Sequence, residues 1–250
     1  MLAFCLMTLL SGSVLATDLI GDYRLIDGTL NNGYSGPGAL ESLTVTQSGG
    51  FADFGPSGWA WSDAVSPGSG LNLSNLPLAV TTSYSIGITA FFGETDGYRR
   101  LIDFKNQASD TGLYVHNNAF QFYEETENGG STSPFQEFTI VITRDDAKNV
   151  NIYTNANSVP ILSFVDNEDL AVASANLLKF FQDDEAVGGE FATIGSTSLI
   201  RVWNGALTPS EIANAMTIVP EPSTYALSMI SAAGVAILAR RRRNSACKSF

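Results

Sequence analysis

Cysteine is nearly missing from the sequence. Its two copies, Cys5 and Cys247, lie close to the ends of the 250 residues, which excludes a disulfide framework or thiol chemistry from the stretch between them. Histidine occurs once, as His116, so a transition-metal centre built on imidazole and thiolate has no ligand set. Positive charge is also scarce: between Thr17 and Val219 there are eight Lys and Arg against 24 Asp and Glu, a net of −16. Such a body lacks the cations needed to neutralise phosphates, which argues against nucleic acid as a partner. No GxSxG elbow, phosphate-binding loop or dinucleotide fingerprint occurs.

The two ends differ from the body. Residues 1–16, MLAFCLMTLLSGSVLA, are apolar and then small, with Val14 and Ala16 placed like signal-peptidase recognition residues before Thr17. This pattern predicts a secretory signal peptide. At the other end, Tyr225 to Ala239 carries no charge, and as a transmembrane helix it would rise roughly 22 Å against about 30 Å of hydrocarbon core. Arg240, Arg241, Arg242 and Arg243 follow it as a membrane stop, because their stems reach toward headgroups and their charge resists translocation. Pro220 and Pro222 keep that helix from running back into the body.

Val219, Pro220, Glu221, Pro222, Ser223 and Thr224, with the apolar run and the arginine cluster, resemble the PEP-CTERM sorting signal of exported bacterial proteins. The resemblance covers 219–243 and leaves 244–250 as a polar tail. It implies an exosortase-type membrane processing enzyme as partner and cleavage near the motif. Transient membrane anchoring followed by release to the cell surface or the extracellular polysaccharide matrix is the fate it implies.

Between Asp18 and Asp184 the hydrophobic pattern has period two in many short runs, among them SYSIGITAFF, RRLIDF, LYVHNNAFQFY, FQEFTIVITR and VNIYTN. Such runs, punctuated by turn residues, predict an all-β sandwich or jelly roll. Asn117-Asn118 predicts a tight hairpin. Thr208-Pro209-Ser210-Glu211 predicts a capping box opening one short helix through about Ala215. The loops near Gly33 to Gly38 and Gly55 to Gly70 read as surface excursions. The order LIGDYRLIDGTLNN, then SYSIGITAFF, EFTIVITRDDAKNVNIYTN and LIRVWNGALT before Ser210-Glu211-Ile212, is similar to the laminin-G-like, concanavalin-A-like jelly-roll family. The resemblance implies one jelly-roll domain over 18–218. That family places an acidic pair before its closing strand, where this chain has Ser198 and Leu199.

Candidate functional residues fall into three groups. Trp59 and Trp61 alternate in GWAW, so both indoles share one strand face; with Tyr34 they form a candidate sugar-stacking platform. Asp183, Asp184 and Glu185 beside Gly188-Gly189, and Asp96 beside Gly97, have the hard-oxygen composition of calcium loops, with Glu190 and Glu94 near them. Glu124, Glu125 and Glu127 are the nearest approach to the carboxylate pair of a glycan hydrolase, but they precede the loop Asn128-Gly129-Gly130. His116 reads as a surface turn residue and Trp203 as core packing. The expected function is a non-enzymatic surface or matrix protein that binds carbohydrate or another matrix component; a structural matrix component without a discrete ligand and a glycan hydrolase are the alternatives.

Overall fold

The computed structural model of the protein describes residues 17–46, 51–62, 69–184 and 189–217. In chain order the strands are β1 (Asp18–Arg24), β2 (Thr44–Thr46), β3 (Phe51–Gly55), β4 (Gly58–Ser62), β5 (Gly70–Leu73), β6 (Tyr84–Phe92) and β7 (Tyr98–Asp103). They continue with β8 (Gly112–His116), β9 (Ala119–Tyr123), β10 (Phe138–Arg144), β11 (Asn149–Thr154), β12 (Leu162–Val165), β13 (Leu178–Phe180) and β14 (Gly195–Asn204). Two short α-helices, α1 (Leu78–Thr82) and α2 (Pro209–Ala215), and two 3-10 turns, Leu25–Asp27 and Ser174–Asn176, complete the described elements. One sheet runs β12-β11-β10-β6-β14-β4-β3 with β1 also paired to β14; the other runs β2-β5-β13-β7-β8-β9. All pairings are antiparallel, so the expected all-β sandwich is the fold.

Alternation explains the core. In the first sheet Ile88 sits between Ile140 and Ile200, and Ile86 between Ile142 and Val202; all six are buried. From the second sheet Leu113, Val115, Phe120, Phe122, Leu178 and Phe180 join the same apolar cluster. The intervening residues point to the two outer faces. On the eight-stranded sheet part of that face is roofed: Val141, Tyr153 and Trp203 pack with Leu207 and Ile212 in a second cluster beneath α2. Met216 crosses so close to Gly87 that a β-carbon there would lie 2.2 Å from the Met216 sulfur. Trp203 therefore packs as expected, but under a helix rather than between the sheets.

The capping box forms: the Thr208 amide donates to Glu211 Oε2 at 2.7 Å, with Pro209 opening the helix. The Asn117-Asn118 hairpin also forms, both residues having positive φ (50° and 65°). Two expectations are corrected. The stretch Gly55 to Gly70 is not wholly a surface excursion, because β4 pairs with β14, Trp61 lying opposite Gly195. A β-carbon on Gly195 would come within 2.3 Å of the Trp61 ring, so the indole lies across that bare backbone. The second correction is α1, a single turn after Pro77 that carries no helical period in LAVTT. Signal residues 1–16 lie outside the described residues.

Trp61 packs on Trp59 at 5.1 Å and on Phe181 at 5.0 Å, and its Nε1 donates to the Ala192 carbonyl at 2.9 Å. Replacing it by Ala removes these contacts and leaves a cavity, with an expected loss of about 3–5 kcal/mol of unfolding free energy. Urea melts followed by the fluorescence of Trp59 and Trp203 check this.

Candidate functional site

The outer face of the six-stranded sheet is built by β7, β8 and β9. Tyr98 lies opposite His116 and Arg100 opposite Tyr114, while Leu101 forms a bulge that returns Ile102 to the core opposite Leu113. On β9, Gln121 lies opposite Tyr114, with Tyr123 two residues on, between core residues Phe120 and Phe122. The face thus gathers three tyrosines, the one histidine, a glutamine and an arginine.

Arg100 has no exposed side-chain surface. Its Nη2 lies 3.0 Å from Asp184, 3.5 Å from Glu190 and 3.7 Å from Asp183, and its Nη1 lies 3.7 Å from Asp103. The guanidinium carbon sits 4.8 Å from the centre of the Tyr114 ring, a cation–π placement that burial strengthens. Tyr114 donates its hydroxyl toward the Asp110 carbonyl at 2.7 Å and Glu190 Oε2 at 3.0 Å. Burial pushes that phenol well above its ordinary range, so it remains a donor. Asp110, Asp184 and Glu190 each bring an oxygen within 4.8 Å of the others.

Five carboxyls around one cation cannot all ionise cheaply. Burial, more than neighbouring charge, raises Asp183 to about 6, against the backbone amide of Glu190 and the pull of Arg100. A shared hydrogen bond with Asp184, then partial burial, raises Asp110 to about 6. The cluster holds protons that isolated carboxylates would release.

Beside this cluster the rings open to solvent. Tyr98 stacks on His116 with ring centres 3.9 Å apart and planes 6° from parallel, and meets Tyr123 edge-on at 5.5 Å. All three are half-buried. His116 Nδ1 lies 3.0 Å from Asn128 Oδ1 and its Nε2 lies 2.9 Å from Asn117 Nδ2. This network assigns the proton to Nδ1 and occupies both nitrogens, leaving neither oriented for acid–base work.

The predicted site residues distribute differently. Trp59 and Trp61 are 3% and 7% exposed, so the expected aromatic platform is corrected: their shared face is the inner one. Tyr34 is half-buried in the loop after β1, its hydroxyl near the Pro37 carbonyl, and no ring contact joins it to either indole among the described residues. Asp183 and Asp184 are buried against Arg100, whereas Asp96 is exposed and pairs with Arg99 at 3.6 Å, as Glu94 does at 3.2 Å. The structure therefore does not bring Asp96 to the Arg100 cluster. Hard carboxylate oxygens suit calcium, yet the guanidinium fills the cationic position among them. Glu185 lies outside the described residues, as do Val219 to Thr224 and Arg240 to Arg243. Glu124 and Glu125 occupy an exposed turn after β9. Sequence reasoning missed Tyr98, Tyr123 and Gln121; Gln121 and Tyr123 carried a signal, standing out of phase with Phe120 and Phe122, whereas Tyr98 shares the phase of Ile102 and faces outward only because of the bulge at Leu101.

An open cavity of about 670 Å³ lies elsewhere, between Thr17, Asp18, α1, Asp145 and Gly205.

Residues 219–243 match the PEP-CTERM protein-sorting motif. The match marks an exported, transiently membrane-anchored protein sorted by a C-terminal signal and recognised by an exosortase, a membrane enzyme. Among the described residues no helix is long and apolar enough to cross a membrane. No curated protein matches the chain by sequence. Among solved structures, domain 4 of AbnA, a GH43 extracellular arabinanase from Geobacillus stearothermophilus solved with arabinotriose, superposes with a TM-score of 0.53 at 16% identity, over 80% of this chain and 99% of that one. Trypanosoma rangeli sialidase in complex with 2,3-difluorosialic acid superposes with a TM-score of 0.56 at 14% identity, over 81% of this chain and 34% of its own length. The binding domain of botulinum neurotoxin serotype D follows at 0.55 and 12%, over 79% of this chain and 51% of that one. The chain thus spans about a third of the sialidase and half of the neurotoxin domain. At these identities the likeness is one of fold, a β-sandwich.

Two measurements check the cluster. Carboxyl carbon NMR should give midpoints of about 6 for Asp110 and Asp183. Both affinities exceed that of an ordinary carboxyl, about 3.9, so the native state binds protons the unfolded chain releases. The resulting stability is present below about pH 4 and is lost as pH rises through about 6. Urea melts across this window should show a flatter fall for Asp183→Asn. Arg100→Met strands the carboxylates, and the expected cost at neutral pH is about 3–5 kcal/mol.

Proposed function

We propose that the protein is a non-enzymatic surface or matrix component whose laminin-G-like, concanavalin-A-like sandwich binds carbohydrate through the outer face of its six-stranded sheet. The observation that supports this reading most is the placement of half-exposed Tyr98, His116 and Tyr123 beside fixed carboxylates. Outer sheet faces need only be polar to be soluble, whereas rings with polar edges suit a half-wet binding surface. The solved arabinanase domain was seen with arabinotriose, which fits the same reading by analogy of fold. Export, which the sorting motif marks, supports the same reading.

A purely structural role is the second reading, favoured by one observation: both tryptophans that would have made the more extensive platform are buried. A hydrolase is not proposed, because Glu124 and Glu125 sit on an exposed turn rather than across a cleft. The tail from Pro220 onward is proposed to be removed by the exosortase-type enzyme before release to the surface or matrix.

Surface-harvested protein is expected to be retained on columns of matrix polysaccharide, with or without chelator, since Arg100 rather than calcium supplies the positive charge. Elution by chelator would return calcium to the site, and no retention on any glycan would leave the structural role. Mass spectrometry of the same sample should show no peptide containing Arg240 to Arg243; an intact tail would refute processing.

A further inference from the structure

We infer that the Tyr98, His116 and Tyr123 face is a subsite for an uncharged sugar ring, whose hydroxyls are taken up by Glu190 and Asp110. The inference rests on the binding reading above and adds the position and the charge class of the ligand.

The rings set the first requirement. Tyr98 covers His116 on one side and meets Tyr123 edge-on, so the three form a single folded surface held by packing. Tyr98 also meets the buried Tyr114 edge-on at 5.4 Å, which ties that surface to the Arg100 cluster beneath. The C–H face of a pyranose or furanose is the common polar molecule whose flat side is apolar enough to lie on such rings. The hydroxyls of Tyr98 and Tyr123 have no hydrogen-bond partner among the described residues. They are free to donate to ring oxygens or hydroxyls of a ligand.

The acceptors set the second. Glu190 and Asp110 are half-buried, and Glu190 is held in place by Tyr114 Oη at 3.0 Å. Fixed carboxylates are strong acceptors for sugar hydroxyls. The side-chain oxygen of Gln121, on the same face opposite Tyr114, is buried and has no partner among the described residues. The side-chain amide of Gln121 is already spent on the Thr126 carbonyl at 2.8 Å.

The charge balance sets the third. The cation of the cluster, Arg100, is fully buried and surrounded by Asp103, Asp183, Asp184 and Glu190. Arg99 stands at the edge but is engaged by Glu94 and Asp96. A uronate or sulfated polymer laid on the rings would meet carboxylates without an available guanidinium, and like charges brought together at an interface disfavour binding. A neutral saccharide meets only acceptors.

His116 is the single histidine, so its ring protons are a built-in probe. The full exported chain is titrated with arabinotriose, cellotriose and xylotriose, and separately with trigalacturonate, while the imidazole Hε1 resonance is followed. At least one neutral trisaccharide is expected to shift it and trigalacturonate to leave it unmoved. Tyr98→Ala should weaken the neutral complex about tenfold or more, Tyr98→Phe, which keeps the ring and loses its hydroxyl, should weaken it less, and Glu190→Gln should weaken it. An unchanged urea midpoint for Tyr98→Ala separates loss of the ring from loss of the fold. A shift with trigalacturonate, or unchanged affinity in Tyr98→Ala, would overturn the subsite while polysaccharide retention of the wild type kept the binding reading alive. Absence of retention on any glycan would remove the binding reading itself.

Discussion

A shortage of cations organises this molecule. The acidic body has few arginines, and Arg24, Arg99, Arg100, Arg144 and Arg201 each pair with at least one carboxylate. The buried ones act as internal counter-ions that hold distant pieces of chain. Arg144 joins the end of β10 to Asp166 and Asp169, both at 2.8 Å. Arg201 joins β14 to Asp22 of β1 at 2.8 Å. Arg100 does the same for the segment after β13. In each case removing the arginine would strand carboxylates away from water, so specificity of fold is tied to these few residues.

The two outer faces of the sandwich are finished differently. On the eight-stranded sheet, Trp203, Val141 and Tyr153 are roofed by α2, and large apolar side chains there are structural. On the six-stranded sheet, β7, β8 and β9 present rings that are half open, above a buried charge cluster. The ladder below fixes where those rings stand, which under the proposed binding role would lower the ordering cost of a ligand.

How much of this was legible follows from the range of each interaction. Period-two runs placed β6, β7, β10 and β11, and local turn chemistry placed the Asn117-Asn118 hairpin and the Thr208 capping box, because both signals lie within a few residues. In GWAW the alternation correctly put both indoles on one side but does not say which side faces the core; the answer lies with Phe181 and Ala192, more than a hundred positions away. β3 and β5 are short and Gly-flanked, and α1 is a single turn, so none offered enough period. Asp184 reads in sequence as an acidic loop, and only the pairing of β13 with β7 sets it against Arg100. The outward rings were readable only in part: His116 and Tyr123 stand out of phase with their apolar neighbours, whereas Tyr98 shares the period of Ile102 and faces outward through the bulge at Leu101.

The end of α2 is fastened to the sheet. Arg201 Nη1 accepts no freedom there: it donates to the Ala215 carbonyl at 2.8 Å, just before the described chain stops at Thr217. β14, which carries Arg201, is flanked by β6, β4 and β1. The last described turn of the chain is therefore tied to an interior strand and not to an edge, so fraying of α2 has to break a bond to the middle of the sheet.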